Sequence, residues 1–142
     1  MCGIAGILNL VDDLPPDLTI LRRMGALLEH RGPDGFAIER DHHAGLVARR
    51  LAIVDVSGGH QPYRNEDDSV IAVFNGEIFN YPDLRQDLVR HGHRFLSHTD
   101  GEVLVHLYEE HGEALCERLN GQFAFALWDR RRRRLLQSAK AN

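Results

Sequence analysis

The 142-residue chain has only two cysteines, Cys2 and Cys116, and most of its length separates them. Two distant thiols make no disulfide framework, and in a chain without an export signal they point to a reducing, cytoplasmic setting. No signal is expected at the N-terminus, because no basic region precedes Ile4 and the acidic Asp12 and Asp13 follow closely. Nor is there an apolar run approaching the roughly 20 residues that span a bilayer, so no membrane contact is expected. Positive charge is in deficit: 17 Lys and Arg stand against 21 Asp and Glu, a net charge of −4, which argues against a general nucleic-acid binder. A phosphate cradle is missing too, since Ser57-Gly58-Gly59-His60 lacks the lysine and helix start of such loops. The nine histidines are scattered. Their densest group, His91, His93 and His98, lies in a polar turn without a cysteine or carboxylate at ligand spacing, and no metal site is expected there.

What is present is a chain of ordinary globular composition, 43% hydrophobic and 27% charged. It is long enough to bury one core of its own. Its most informative stretch is Met1-Cys2-Gly3-Ile4-Ala5-Gly6. Removal of Met1, favoured before a small side chain, leaves one residue bearing both a thiol and an α-amine. Thiols titrate near about 8.5 and α-amines near about 7.7–8.0, a match close enough for proton exchange at neutral pH. Such a pair is a nucleophile with its own base. The competing reading is a small buried residue opening a strand.

Residues 3–8 read as a strand, and Leu18, Leu21, Met24 and Leu28 recur at helical spacing over 17–29, with Asp17 at the start. His30-Arg31-Gly32-Pro33-Asp34-Gly35 describes a tight loop. Strands follow around 36–39 and 45–48 and lead into Arg49-Arg50-Leu51-Ala52-Ile53-Val54-Asp55. There Arg50 is either a solvated strand end or a fork aimed at a carboxylate. Residues 57–69 are turn-rich. Val70–Phe74 is a buried strand ending in Asn75-Gly76-Glu77, which reads either as a hairpin turn or as a carboxamide and a glycine N–H arranged for an oxyanion. Helices are expected over 82–91 and 100–111, the second opened by a Thr99/Glu102 capping box with Asp100 in its first turn. Residues 122–128 form a strand, and Arg130–Arg134 reads as a charged turn before Leu135-Leu136 rather than as a phosphate grip.

Five motifs stand together and in order: the N-terminal hexapeptide, His30–Gly35, Arg50–Asp55, Phe74-Asn75-Gly76-Glu77-Ile78 and Thr99-Asp100-Gly101-Glu102. Joined by Gly121–Asp129, they resemble the glutaminase domain of class II, N-terminal-nucleophile glutamine amidotransferases. Within that class they look most like the glutamine-hydrolysing asparagine synthetases. The resemblance implies an α+β fold, a four-layer αββα sandwich of two antiparallel sheets. It implies that Cys2 attacks the glutamine γ-carboxamide while Asn75 and Gly76 hold the oxyanion. Arg50 would take the substrate α-carboxylate and Asp100 its α-ammonium, with Leu51, Ile53, Val54 and Glu77 completing the pocket. Glutamine is then the partner, no cofactor is needed in this domain, and ATP and magnesium belong to a separate synthetase domain. A homodimer is possible for the full-length family. Two departures are visible: Thr99 stands where serine is common, and Ser138–Asn142 replaces the family's Ala-Arg-Asp-Arg-x-Gly continuation. The second leads to the expectation that residues 1–142 are a glutaminase domain lacking its last strands, with the synthetase domain absent. Two alternatives stay open, a non-catalytic remnant and the glutaminase domain of another amidotransferase branch.

Overall fold

The computed structural model describes residues 1–52 and 59–141. Seven strands build two antiparallel sheets. Strands β1 (Gly3–Leu8), β2 (Gly35–Arg40) and β3 (Ala44–Arg50) form the first, in the order β1-β3-β2. Strands β4 (Tyr63–Arg64), β5 (Val70–Ile78), β6 (Gly121–Asp129) and β7 (Arg134–Lys140) form the second, in sequence order. Helix α1 (Leu18–Leu27) packs on the outer face of the first sheet. Helices α2 (Tyr81–Arg90) and α3 (Val103–His111), with the short α4 (Leu115–Arg118), cover the second. The layer order is αββα, as the family resemblance implies.

The two-residue period of a strand sorts the side chains between two cores. From β5, Ile71 and Val73 face the other sheet and meet Ala44, Leu46, Ala48 and Trp128. The alternate residues Val70, Ala72 and Phe74 face the helices, with Phe125, Leu127, Leu104 and Tyr108. A strand buried on both faces reads as a continuous apolar run, which is why Val70–Phe74 lacks alternation.

One open alternative closes and two sequence expectations need correction. Asn75-Gly76 is no hairpin turn, because β5 continues to Ile78 and pairs Asn75 with Ala124 and Gly76 with Phe123. The predicted helix over 100–111 begins as a 3-10 turn at Asp100–Glu102, and only Val103–His111 is α-helical. Thr99 holds the N-cap position without a capping hydrogen bond. Glu102 reaches back instead to the N–H groups of Leu96 (2.6 Å) and Ser97 (2.8 Å), so the buried carboxylate fastens the preceding loop rather than Thr99.

Other expectations hold. Asp17 caps α1 by accepting from the N–H groups of Thr19 and Ile20. The arginine run turns at 130–133 and leads into β7. Its residues face carboxylates: Arg130 pairs with Glu39, Arg131 with Asp67, Arg132 with Asp129 and Arg134 with Glu113. Glu39 lies on β2 and also receives Arg64 of β4, so two arginines from the second sheet clasp the first.

Candidate active site

Cys2 lies immediately before β1 and is half-buried. Its Sγ is bracketed by the backbone of Leu51, accepting from the N–H at 3.4 Å with the carbonyl 3.8 Å away. The loop that reads from sequence as only a loop holds this arrangement. Arg31 donates from Nε to the Cys2 carbonyl (3.1 Å), the Asp34 N–H donates to the Arg50 carbonyl (3.0 Å), and Asp34 Oδ2 accepts from the Ala52 N–H (2.9 Å). A side chain on Gly32 would meet the Arg49 carbonyl at 2.5 Å, so the loop lies against the end of β3 only because that residue is glycine. The loop therefore positions Cys2 and Arg50 relative to one another.

Across from this group, β5 delivers Asn75, Gly76 and Glu77. Gly76 has φ of +138°, and a Cβ there would stand 2.2 Å from the Gln122 carbonyl oxygen. Both the backbone conformation and the close approach of β6 demand glycine. Just upstream, the Gln61 carboxamide behaves like a strand partner to Phe74: it accepts from the Phe74 N–H (2.7 Å) and donates to the Phe74 carbonyl (2.8 Å). The Asn75 backbone thus follows a residue fixed on both sides. Asn75 Oδ1 is buried with no hydrogen-bond partner among the described residues, a state that costs about 1–3 kcal/mol unless a ligand relieves it.

The 3-10 turn supplies Asp100, whose Oδ2 accepts from the Ile78 N–H at 2.8 Å. Burial pushes the Asp100 carboxyl above the ordinary carboxylate range, and the charge of nearby Glu77 adds to the push. Backbone N–H groups oppose the shift without overcoming it. A carboxylate in this condition favours a cation beside it.

These groups share one cavity of about 330 Å³, lined by Cys2, Arg50, Leu51, Asn75, Gly76, Glu77 and Asp100. Every predicted site residue that the structure describes is there; Ile53 and Val54 lie outside the described residues. Arg50 is buried, at 7% exposure. Met1, 71% exposed, also lines the cavity beside Cys2. Sequence reasoning missed Gln61, Tyr63, Phe79 and Gln122, and it saw Thr99 only as a cap. Burial raises the Tyr63 phenol well above its usual value, with a hydrogen bond to Thr99 opposing, so the hydroxyl stays protonated. A buried aromatic inside a polar, turn-rich segment was the available signal for Tyr63. No comparable signal marks Gln61, whose role depends on where β5 lies.

The family model described as "Glutamine amidotransferase domain" matches residues 1–139. The chain belongs to that family. Among curated relatives, the glutamine amidotransferase domain is 41% identical over 137 residues to "Asparagine synthetase [glutamine-hydrolyzing] 2" of Bacillus subtilis (strain 168), covering 95% of this chain and 18% of that protein. It is 44% identical over 133 residues to the asparagine synthetase of Sandersonia aurantiaca, covering 92% of this chain and 25% of the relative. The nodule asparagine synthetase of Pisum sativum is 42% identical over 131 residues, with 92% and 22% covered. The chain thus spans a quarter or less of the length of these relatives. Among solved structures, the glutamine phosphoribosylpyrophosphate amidotransferase of B. subtilis, complexed with ADP and GMP, superposes with a TM-score of 0.67. The superposition covers 91% of this chain and 35% of the other at 20% identity, which establishes the shared fold. Among the described residues, no helix is long and apolar enough to cross a membrane.

Proposed function

We propose that this domain hydrolyses glutamine to glutamate and ammonia through a thioester on Cys2. The observation that carries the reading is the meeting of Cys2 with one buried cation, Arg50, and one carboxylate of raised pKa, Asp100, in a single cavity. A free amino acid brings a carboxylate and an ammonium, and these two residues answer them. Glutamine inside a peptide carries neither charge and offers no counter-charge to either Arg50 or Asp100, which is a strong basis for rejection.

The bond changes follow from the groups present. Cys2 Sγ attacks the γ-carbonyl carbon and its proton passes to the Cys2 α-amine. The carbonyl oxygen becomes an oxyanion held by the Asn75 side-chain amide and the Gly76 N–H. Collapse of this intermediate expels ammonia, which takes the proton from the amine and leaves a γ-glutamyl thioester. Water then attacks the thioester, releasing glutamate and restoring the thiol. This route needs the α-amine on Cys2, so Met1 is removed in the active form. It uses no cofactor. Leu51 holds Sγ, and Glu77 completes the described part of the pocket. Ammonia passes to a synthesis of asparagine, a reading supported by the names of the curated relatives; ATP and magnesium would serve that separate step.

Ammonia release on incubation with glutamine tests the proposal. Cys2→Ala is expected to abolish release while glutamine still binds, and intact-mass analysis of active protein is expected to show the loss of one methionine. Full activity with Met1 retained would overturn the role of the α-amine.

A further inference from the structure

Away from the Cys2 cavity, four side chains converge from three separate segments. Glu66 lies in the turn between β4 and β5, His93 just past the end of α2, and His106 and Glu109 on one face of α3 at i, i+3 spacing. One nitrogen or oxygen from each lies within 4.8 Å of all the others. We propose that Glu66, His93, His106 and Glu109 bind a single divalent transition-metal ion, with zinc as the natural occupant.

The distances favour a coordination shell over direct ion pairs. His93 Nδ1 is 3.3 Å from Glu66 Oε1 and 3.6 Å from Glu109 Oε2. His106 Nδ1 is 3.5 Å from Glu66 Oε2 and 3.6 Å from Glu109 Oε2. Charged hydrogen bonds between such groups are about 2.7–2.9 Å long, shorter than all four contacts. A tetrahedral zinc ion with bonds of about 2.0–2.1 Å has ligand–ligand edges of about 3.3–3.4 Å, which these contacts approach.

The state of His106 is a second, independent observation. It is 0% exposed, and neither ring nitrogen has a partner within hydrogen-bond distance among the described residues. Buried polar atoms are almost always satisfied, and a metal on Nδ1 would satisfy this one. The outer contacts are also those that orient metal ligands. His93 Nε2 lies 2.9 Å from Glu110 Oε1, Glu109 Oε1 accepts from Asn65 Nδ2 at 2.9 Å, and Glu66 Oε1 accepts from the Arg94 N–H at 2.8 Å. On the far side of His106, Glu102 Oε1 stands 4.0 Å from Nε2. Two carboxylates and two neutral imidazoles around a divalent ion sum to zero charge, a balance that suits a site with one wholly buried ligand, His106, and two carboxylates at the surface. Imidazole and carboxylate together suit zinc among the abundant metals. None of the four residues lines the Cys2 cavity, so the ion's role is to fasten the β4–β5 turn and the end of α2 to α3.

The test uses the full chain carrying Cys2→Ser, which removes the one thiol able to chelate zinc together with an amine. Chelator-stripped protein is titrated with zinc against a chromophoric competitor, and with cobalt to read geometry. The expected result is one ion per chain with Kd below about 1 μM and the intense visible bands of four-coordinate cobalt. Glu109→Gln and His93→Gln are expected to weaken zinc at least about 100-fold, and Glu110→Gln, an outer contact, about tenfold. Circular dichroism of the stripped variants confirms folding; if His93→Gln misfolds, Glu109→Gln and the cobalt spectrum decide. Wild-type affinity in Glu109→Gln, a six-coordinate cobalt spectrum, or no binding below about 100 μM would each overturn the site and leave an ion-pair cluster in its place.

Discussion

Asp100 and Glu102 stand two residues apart in one 3-10 turn, yet their carboxyl groups shift in opposite directions. Burial pushes both up. At Asp100, which faces the Cys2 cavity, the opposing N–H groups do not overcome it. At Glu102, interactions with His106, Ser97 and the Leu96 and Ser97 N–H groups outweigh burial and hold the carboxyl below its ordinary range. Local hydrogen bonds outweigh burial at Glu102 and fall short of it at Asp100, which lines the cavity. The same contrast separates the two regions the turn joins. Around the cavity, Arg50, Glu77 and Asp100 line a shared volume of about 330 Å³, whereas the His106 cluster brings four donor atoms within 4.8 Å of one another.

The largest expected effect on the cavity side falls on the transition state. Asn75→Ala removes an oxyanion donor, and kcat is expected to fall about 10²–10³-fold with little change in KM. On the structural side of the turn, Glu102→Ala leaves the Leu96 and Ser97 N–H groups without their acceptor in a partly buried loop, at a cost of about 3 kcal/mol in urea unfolding. A stability loss within error of zero would show that Glu102 does not fasten the loop, and the contrast between the two acids would fail. Arg50→Ala is expected to raise KM about 10–100-fold while changing kcat little, because the α-carboxylate is held equally before and during the reaction. Steady-state kinetics of the two cavity variants separates the roles, and the reverse pattern would exchange them.

Much of this was legible before the structure, and what was not has a common cause. The αββα architecture and the cavity residues followed from a family resemblance carried by short, contiguous motifs, and the stripe of α1 with its Asp17 cap followed from local periodicity. Ambiguity and error came where local chemistry has two outcomes that only long-range contacts separate. Asn75-Gly76 carries the strongest short-range hairpin signal, but pairing with Ala124 and Phe123 keeps it inside a strand. Glu102 has capping-box spacing, but the loop before it presents better donors. Gln61 and the four-residue cluster were invisible because their partners are far away in sequence. His93 looked bare of carboxylates only while its neighbours along the chain were considered.

The smallest effect concerns pH, and it sharpens the opening comparison most directly. Asp100 has a raised carboxyl pKa, so over the window just above the ordinary value of 3.8 the folded chain holds a proton that the unfolded chain releases. Its contribution to stability therefore declines as pH rises through that window, and at neutral pH the ionised group is a burden on the fold. Glu102 runs the other way: its pKa is lowered below 4.5, so its contribution is present above that value and declines as pH falls through the folded value. For binding, the ionised form of Asp100 is the one that pairs with an α-ammonium, so kcat/KM for glutamine is expected to fall on acidification at a pH above that of an ordinary aspartate. Asp100→Asn should remove that acid limb, raise KM across the neutral range, and leave neutral-pH stability equal to or slightly above that of the parent. Glu102→Gln, which keeps the shape and loses the charge, should lower stability at neutral pH and converge with the parent in acid. Pairing kcat/KM profiles with urea unfolding at several pH values reads both predictions. If Asp100→Asn were as destabilising as Glu102→Ala at pH 7, Asp100 would be a structural acid like its neighbour, and the cavity would have no carboxylate waiting for an ammonium.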